Sequence, residues 1–136
     1  MAIKISELNP RAPKGIDKNT AKNSLKDLAK EIAEELTMMF ANNKHSLLVV
    51  LQGMDSSGKD GVSKNVFKYT SPTMISAHSF KKPTDLEFAH DFLWRVNQQS
   101  PRKGQTKIFV RSHYEDILIQ RVHGWIDEER VNTRIE

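Results

Sequence analysis

The stretch that most constrains this chain is Gly53-Met54-Asp55-Ser56-Ser57-Gly58-Lys59-Asp60-Gly61. An apolar run, Leu47 to Leu51, precedes it, and a segment compatible with a helix, Val62 to Tyr69, follows. The spacing G-x-x-x-x-G-K between a strand and a helix is that of a phosphate-cradling loop. Glycines at Gly53, Gly58 and Gly61 let the backbone fold back so that successive N–H groups face phosphate oxygens. Lys59 supplies a mobile point charge for the terminal phosphates. The helix that follows adds unpaired N–H groups and the positive end of its dipole.

Two positions depart from the usual form of such a loop. The residue after the lysine is ordinarily Ser or Thr, whose hydroxyl holds magnesium, and here it is Asp60. Asp55 is a second carboxylate within the loop. Two carboxylates beside a phosphate repel it unless a cation intervenes, so Asp55 and Asp60 are candidate Mg2+ ligands. Ser56, Ser57 and the backbone of Gly58 to Gly61 complete the candidate phosphate site.

Around this loop the chain alternates. A helix is predicted from about Thr20 to Phe40, with Leu25, Leu28, Ile32 and Leu36 at helical spacing. Lys18, Lys22, Lys26 and Lys30 form a separate stripe, and Asn42 and Asn43 suit the helix end. Strands are predicted at 47–52, 74–79 and 106–110. The first, apolar throughout, reads as a strand covered on both faces. Between the second and third, Thr84 or Asp85 caps one helix carrying Leu86 to Val96. Residues 115–123 read as helical, Gly124 as a break, and 125–136 as the possible start of another helix. Strand–helix repetition implies a three-layer α/β fold with a parallel sheet. Ligands in such sheets lie beyond the carboxyl ends of the strands. That geometry gathers the phosphate loop, residues 79–84 and residues 110–116.

Lys81, Lys82 and Arg111 stand in those loops. The lysines are either solvated or in contact with a phosphate chain. Arg111 is either paired with Glu115 or Asp116, or a phosphate clamp whose planar fork matches phosphate oxygens. Arg95 is open between the same two roles. The usual second acidic magnesium position, at the end of the third strand, is Val110. The five histidines form no metal-ligand spacing, and the aromatic residues, including Phe67, Phe80, Phe88, Phe92 and Phe109, read as packing residues.

Composition bounds the rest. With 136 residues and no cysteine, one domain without disulfides is expected. No apolar run reaches the roughly 20 residues of a membrane helix and no signal-peptide core is present, so a cytoplasmic protein is the expectation. The net charge of +4 is an N-terminal feature: residues 1–30 hold seven Lys/Arg against three Asp/Glu, leaving fourteen of each in the remainder. Residues 1–18 therefore read as an extended basic leader, either solvated or attractive to a polyanion, and residues 19–136 as part of one domain. No nucleic-acid recognition motif is present.

Four blocks together resemble the polyphosphate kinase 2 family: Leu51 to Gly61, Ser79 to Thr84, His90 to Arg95, and Ile108 to Leu118. The resemblance implies a P-loop fold similar to that of thymidylate kinases. It also implies Mg2+-dependent phosphoryl transfer between inorganic polyphosphate and a nucleotide. AMP or ADP is implied by the Ser112-His113-Tyr114-Glu115-Asp116 continuation, and GDP is a further candidate. By position, Asp55 would bind Mg2+ and orient the acceptor, Lys59 and Arg111 would bind the transferring phosphates, and Lys81 would lie near the polyphosphate path. Val110 departs from the acidic or amide residue many members carry. The chain is also expected to lack the family's helical lid and later strands. That would leave the edge of its first strand open and favour a homo-oligomer. An ATP-dependent nucleotide kinase and a non-catalytic polyanion-binding fragment are the alternatives.

Overall fold

A computed structural model describes residues 13–136. The order is α1 (Lys18–Asn42), β1 (Leu47–Leu51), α2 (Lys59–Val66), β2 (Ile75–Ser79), α3 (Asp85–Phe88), α4 (Trp94–Asn97), β3 (Thr106–Val110), α5 (Glu115–Val122) and α6 (Glu128–Ile135). The three strands are parallel in the order β1-β3-β2. Leu47 and Ile75 both align with Thr106, and Leu51 and Ser79 both align with Val110. All three strands therefore end at one level, and their exit loops share one edge of the sheet.

Local chemistry accounts for most boundaries. Asp17 caps α1: its Oδ2 accepts from the N–H of Asn19 (3.0 Å) and Thr20 (2.9 Å), so the helix begins at Lys18, ahead of the expected Thr20. The basic leader expected over 1–18 lies mostly outside the described residues. Asn43 closes α1 in the left-handed conformation (φ 49°), with its N–H donating to the Met39 carbonyl. Thr84 and Glu87 form a reciprocal capping box on α3. Gly124, at φ 65°, ends the α5 segment.

Two expectations are corrected. The single helix predicted over Leu86 to Val96 is two short ones, α3 and α4. The Asp91 carboxylate accepts from Leu93 N–H (2.9 Å) and its carbonyl from Trp94 N–H (2.9 Å), a local turn that competes with helix continuation. The second correction concerns β1. Among the described residues it pairs only with β3 and so lies at the edge of the sheet, and Leu48 and Val50 are each 42% exposed. Its apolar sequence is not covered on both faces. Among the described residues no strand pairs with its other edge.

The core gathers on β3 instead. Ile108 and Phe109 are buried, and Phe109 meets Phe80 edge to face at 4.9 Å. Such a pair contributes about 0.5–1.5 kcal/mol beyond its area. Of the other phenylalanines read as core, Phe67, Phe88 and Phe92 are half-buried. A second cluster, Ile117, Ile126 and Val131, joins α5 to α6.

His78 on β2 gives the fold a pH dependence. Burial, then the charges of Lys107 and Arg95, lower its pKa, with Glu87 opposing. The folded state thus binds fewer protons here than the unfolded chain. This contribution to stability is complete above about pH 6.5 and is lost as pH falls through the lowered value. Denaturant titrations at a series of pH values from 7.5 downward should show stability falling below about pH 6.5. His78→Gln should flatten that fall, and an unchanged slope in the variant would assign the effect elsewhere.

Candidate phosphate-binding site

The loop between β1 and α2 has the shape its sequence requires. Gly58 sits at φ 90° and Ser56 at φ 63°, the left-handed turns that bend the backbone around a concavity. A Cβ at Gly53 would fall 2.8 Å from Ser57 Oγ, so this position requires glycine or a shift of the serine. Ser57 N–H closes the turn on the Met54 carbonyl (3.2 Å). Gly58 supplies no side-chain cap to α2, which leaves the first N–H groups of that helix available to an anion.

Lys59 lies across this loop. Its Nζ donates to the carbonyls of Gly53 (2.8 Å) and Met54 (2.6 Å) and is 3.4 Å from Ser57 Oγ. The ammonium is thereby held at the rim of the concavity on a flexible stem.

The strand ends converge as the parallel topology dictates. A cleft of about 420 Å³ is lined by Asp55 to Gly61, by Ser79, Phe80 and Lys81, and by Val110 and Arg111. It therefore brings together Asp55, Ser56, Ser57, Gly58, Lys59, Asp60, Gly61, Lys81 and Arg111 from the sequence reading. Gly53 stands behind the loop, reaching the cleft through its carbonyl on Lys59. Lys82 turns away, and its amine lies 4.6 Å from the centre of the Trp125 ring.

The two arginines take different partners: Arg95 forms the salt bridge with Asp116 that was one of its two expected roles, and Arg111 does not. Arg111 pairs with Asp55, not with Glu115 or Asp116. Asp55 is 84% exposed and Arg111 33%, so the pair is solvated and contributes little to stability. Arg95 is the opposite case. It is buried with Asp116, their side chains 6% and 2% exposed, with Nη2–Oδ distances of 2.9 and 3.1 Å. Its Nη1 also donates to the Lys81 carbonyl (2.8 Å), so it braces the loop that carries Lys81 rather than contacting the cleft. Burial raises the Asp116 pKa, and the Arg95 guanidinium pulls it back.

One polar chain near the site was not read from the sequence. Ser112, fully buried, donates to Gln52 Oε1 (3.0 Å), and Gln52 Nε2 donates to Glu115 Oε1 (2.8 Å). It ties the exit of β1 to the exit of β3. It thereby supports Arg111, whose backbone is left-handed at φ 68° and whose N–H donates to the Leu51 carbonyl (3.0 Å). The available signal was position: polar residues directly after two adjacent parallel strands.

For magnesium, the donors at the cleft are the carboxylates of Asp55 and Asp60. Among the described residues no group of three or more His, Asp or Glu could hold a metal ion. Mg2+ commonly binds through one or two carboxylates together with waters and substrate phosphates, so this donor set fits an ion that arrives with its phosphates.

A family model described as Polyphosphate kinase 2 matches residues 15–136. The chain belongs to the polyphosphate kinase 2 family. The AMP/ADP-polyphosphate phosphotransferase of Meiothermus ruber is 48% identical over 92 residues, 68% of this chain and 34% of that protein. The ADP-polyphosphate phosphotransferase of Rhodopseudomonas palustris is 43% identical over 86 residues, 63% of this chain and 30% of that protein. The crystal structure of polyphosphate kinase 2 from Arthrobacter aurescens TC1 superposes with a TM-score of 0.87 at 36% identity, over 97% of this chain and 49% of that one. The chain thus spans about a third of the curated relatives' length and about half of that structure. The polyphosphate kinase 2 fold is P-loop NTPase-like, in agreement with the parallel sheet described above. No helix among the described residues is long and apolar enough to cross a membrane.

Proposed function

We propose that this chain carries the phosphate-handling half of a Mg2+-dependent phosphotransferase acting between inorganic polyphosphate and a nucleoside mono- or diphosphate, with AMP or ADP as acceptor. The observation that carries this reading is the single cleft in which the loop, Lys81 and Arg111 meet. The names of the Meiothermus and Rhodopseudomonas relatives support polyphosphate and adenine nucleotides as the substrates.

In the forward direction, an oxygen of the acceptor's terminal phosphate attacks the terminal phosphorus of polyphosphate. The bridging P–O bond of the donor breaks, and a polyphosphate one unit shorter leaves. Such transfers proceed by positioning and charge neutralisation, without a covalent enzyme intermediate. The loop N–H groups and the start of α2 would hold the transferring phosphoryl group. Lys59 would exchange the loop carbonyls for phosphate oxygens, and Arg111 would exchange Asp55 for them. Lys81 would meet the donor chain. Bound magnesium would neutralise phosphate charge, with Asp55 and Asp60 holding it.

The test is nucleotide formation from AMP or ADP with magnesium and polyphosphate, run against ATP as competing donor. Polyphosphate-driven product formation is expected. Turnover with ATP alone as donor would replace this reading with that of an ATP-dependent nucleotide kinase. Polyphosphate binding without turnover, indifferent to Lys59→Ala, would replace it with a non-catalytic binding fragment.

A further inference from the structure

The lysines of α1 take no part in the cleft, and the fold carries several of them past it. α1 ends where β3 begins, with Asn43 packed against Gly104, and residues 43–46 turn the chain into β1. The helix therefore runs back toward the end of the sheet where the phosphate loop lies. With 25 residues it is about 37 Å long, whereas the five residues of β1 cover about 17 Å. Burial marks where it leaves the body. Every residue from Pro13 to Leu28 is exposed, Ala29 and Leu36 are buried, and Ile32, Ala33 and Met39 are half-buried. The first three turns of α1 thus project beyond the sheet on the side of the cleft.

The direction of the lysines follows from the helical period. Steps of four residues advance about 40° around the axis, so the stripe winds slowly. Leu36 and Ala29 define the side turned to the body. Lys18 stands at the same angle as Leu36, Lys22 about 40° on and Lys26 about 80° on, whereas Lys30, about 120° on and past Ala29, has turned toward the opposite side. Asp27, Glu31 and Glu34 fall within about 40° of the opposite side. Where the helix is packed, its inner side carries Ala and Leu; where it stands clear, that side carries Lys18 and Lys22 beside Leu25. Lys18, Lys22, Lys26 and Lys30 are all exposed, and among the described residues none forms an ion pair.

We propose that this projecting, basic side of α1 is a rail for the distal part of a long polyphosphate chain whose terminal phosphates occupy the cleft. The inference rests on the polyphosphate reading of the cleft. Charge complementarity selects the occupant. Polyphosphate is a flexible polyanion without bases, so it offers nothing to a stacking or base-reading surface. A row of hydrated point charges on flexible stems suits it. A nucleotide or a short phosphate chain fills the cleft without reaching the rail.

The experiment compares the 136-residue chain with a Lys18→Gln/Lys22→Gln/Lys26→Gln variant, glutamine being a comparable helix former. Circular dichroism checks that helix content is kept. Affinities for tripolyphosphate and for long-chain polyphosphate are measured across a salt series. For the long chain, the variant should bind at least about tenfold more weakly. Its slope of log affinity against log salt should fall by about 2, three charges at about 0.7 each. Tripolyphosphate affinity should stay within about twofold. An unchanged long-chain slope, or equal losses for both ligands, overturns the rail and leaves the cleft reading standing. Single-stranded DNA competing as well as long polyphosphate would identify a general polyanion surface and overturn it too. Absence of binding to polyphosphate of either length would reject the cleft reading and the rail together.

Discussion

Lys59→Ala is expected to lower polyphosphate-driven nucleotide phosphorylation by about 10²–10³-fold in kcat, with little change in stability. Lys59 carries the one positive side chain of residues 53–61, and its partners are the carbonyls of Gly53 and Met54. Water replaces it on those carbonyls, so denaturation should shift by no more than about 0.5 kcal/mol. At the phosphates nothing replaces it. Lys59→Arg should fail to restore activity, because a planar fork does not substitute for a compact charge inside a tight backbone loop. Steady-state rates with ADP, magnesium and polyphosphate, beside a urea titration of each variant, separate the two effects. A variant that keeps wild-type kcat would remove Lys59 from the chemistry.

Asp116→Ala should produce the largest loss of stability, about 3–5 kcal/mol, because it leaves the Arg95 guanidinium buried without its counter-charge. Asp116 is a junction rather than one half of a pair. Its carboxylate accepts from Arg95 and Gln120, and its carbonyl from Arg134 on α6. Arg95 in turn holds the Lys81 carbonyl, so the loss should propagate to the cleft wall. Replacing both partners by apolar residues, Arg95→Met with Asp116→Leu, should recover part of the stability, since no charge then remains buried. Activity should not recover with it, because the brace on Lys81 is gone. Urea denaturation of the single and double variants measures the first expectation. A loss below about 1 kcal/mol for Asp116→Ala would show the buried pair to be dispensable.

The phosphate loop was legible because its determinants are consecutive residues. Glycines permit the turns, Lys59 is at fixed spacing, and the strand and helix on either side have their own patterns. The Thr84 cap and the Asn43 terminus were legible for the same reason: each involves groups within four residues of one another. The break between α3 and α4 was less so. Leu86 to Val96 keep a helical apolar pattern, yet the Asp91 carboxylate captures the Leu93 N–H instead of leaving it to a helix. Pattern reading scores side-chain faces and misses a side chain competing for the backbone.

By itself, then, the sequence determined where the glycine-rich loop lies, and that βα repetition would place it at the carboxyl ends of parallel strands. Only the tertiary structure decided the partners. Arg111 faces Asp55 across 56 positions of sequence, Arg95 meets Asp116 across 21, and Ser112 reaches Gln52 across 60. The strand order β1-β3-β2 was likewise decided in three dimensions, and it left the apolar β1 at an edge. The reason is the range of the forces. Turns, caps and loop geometry are set by backbone torsions and hydrogen bonds within a few residues. The pairing of charges depends on which exit loops the sheet sets side by side and on how far each is withdrawn from water.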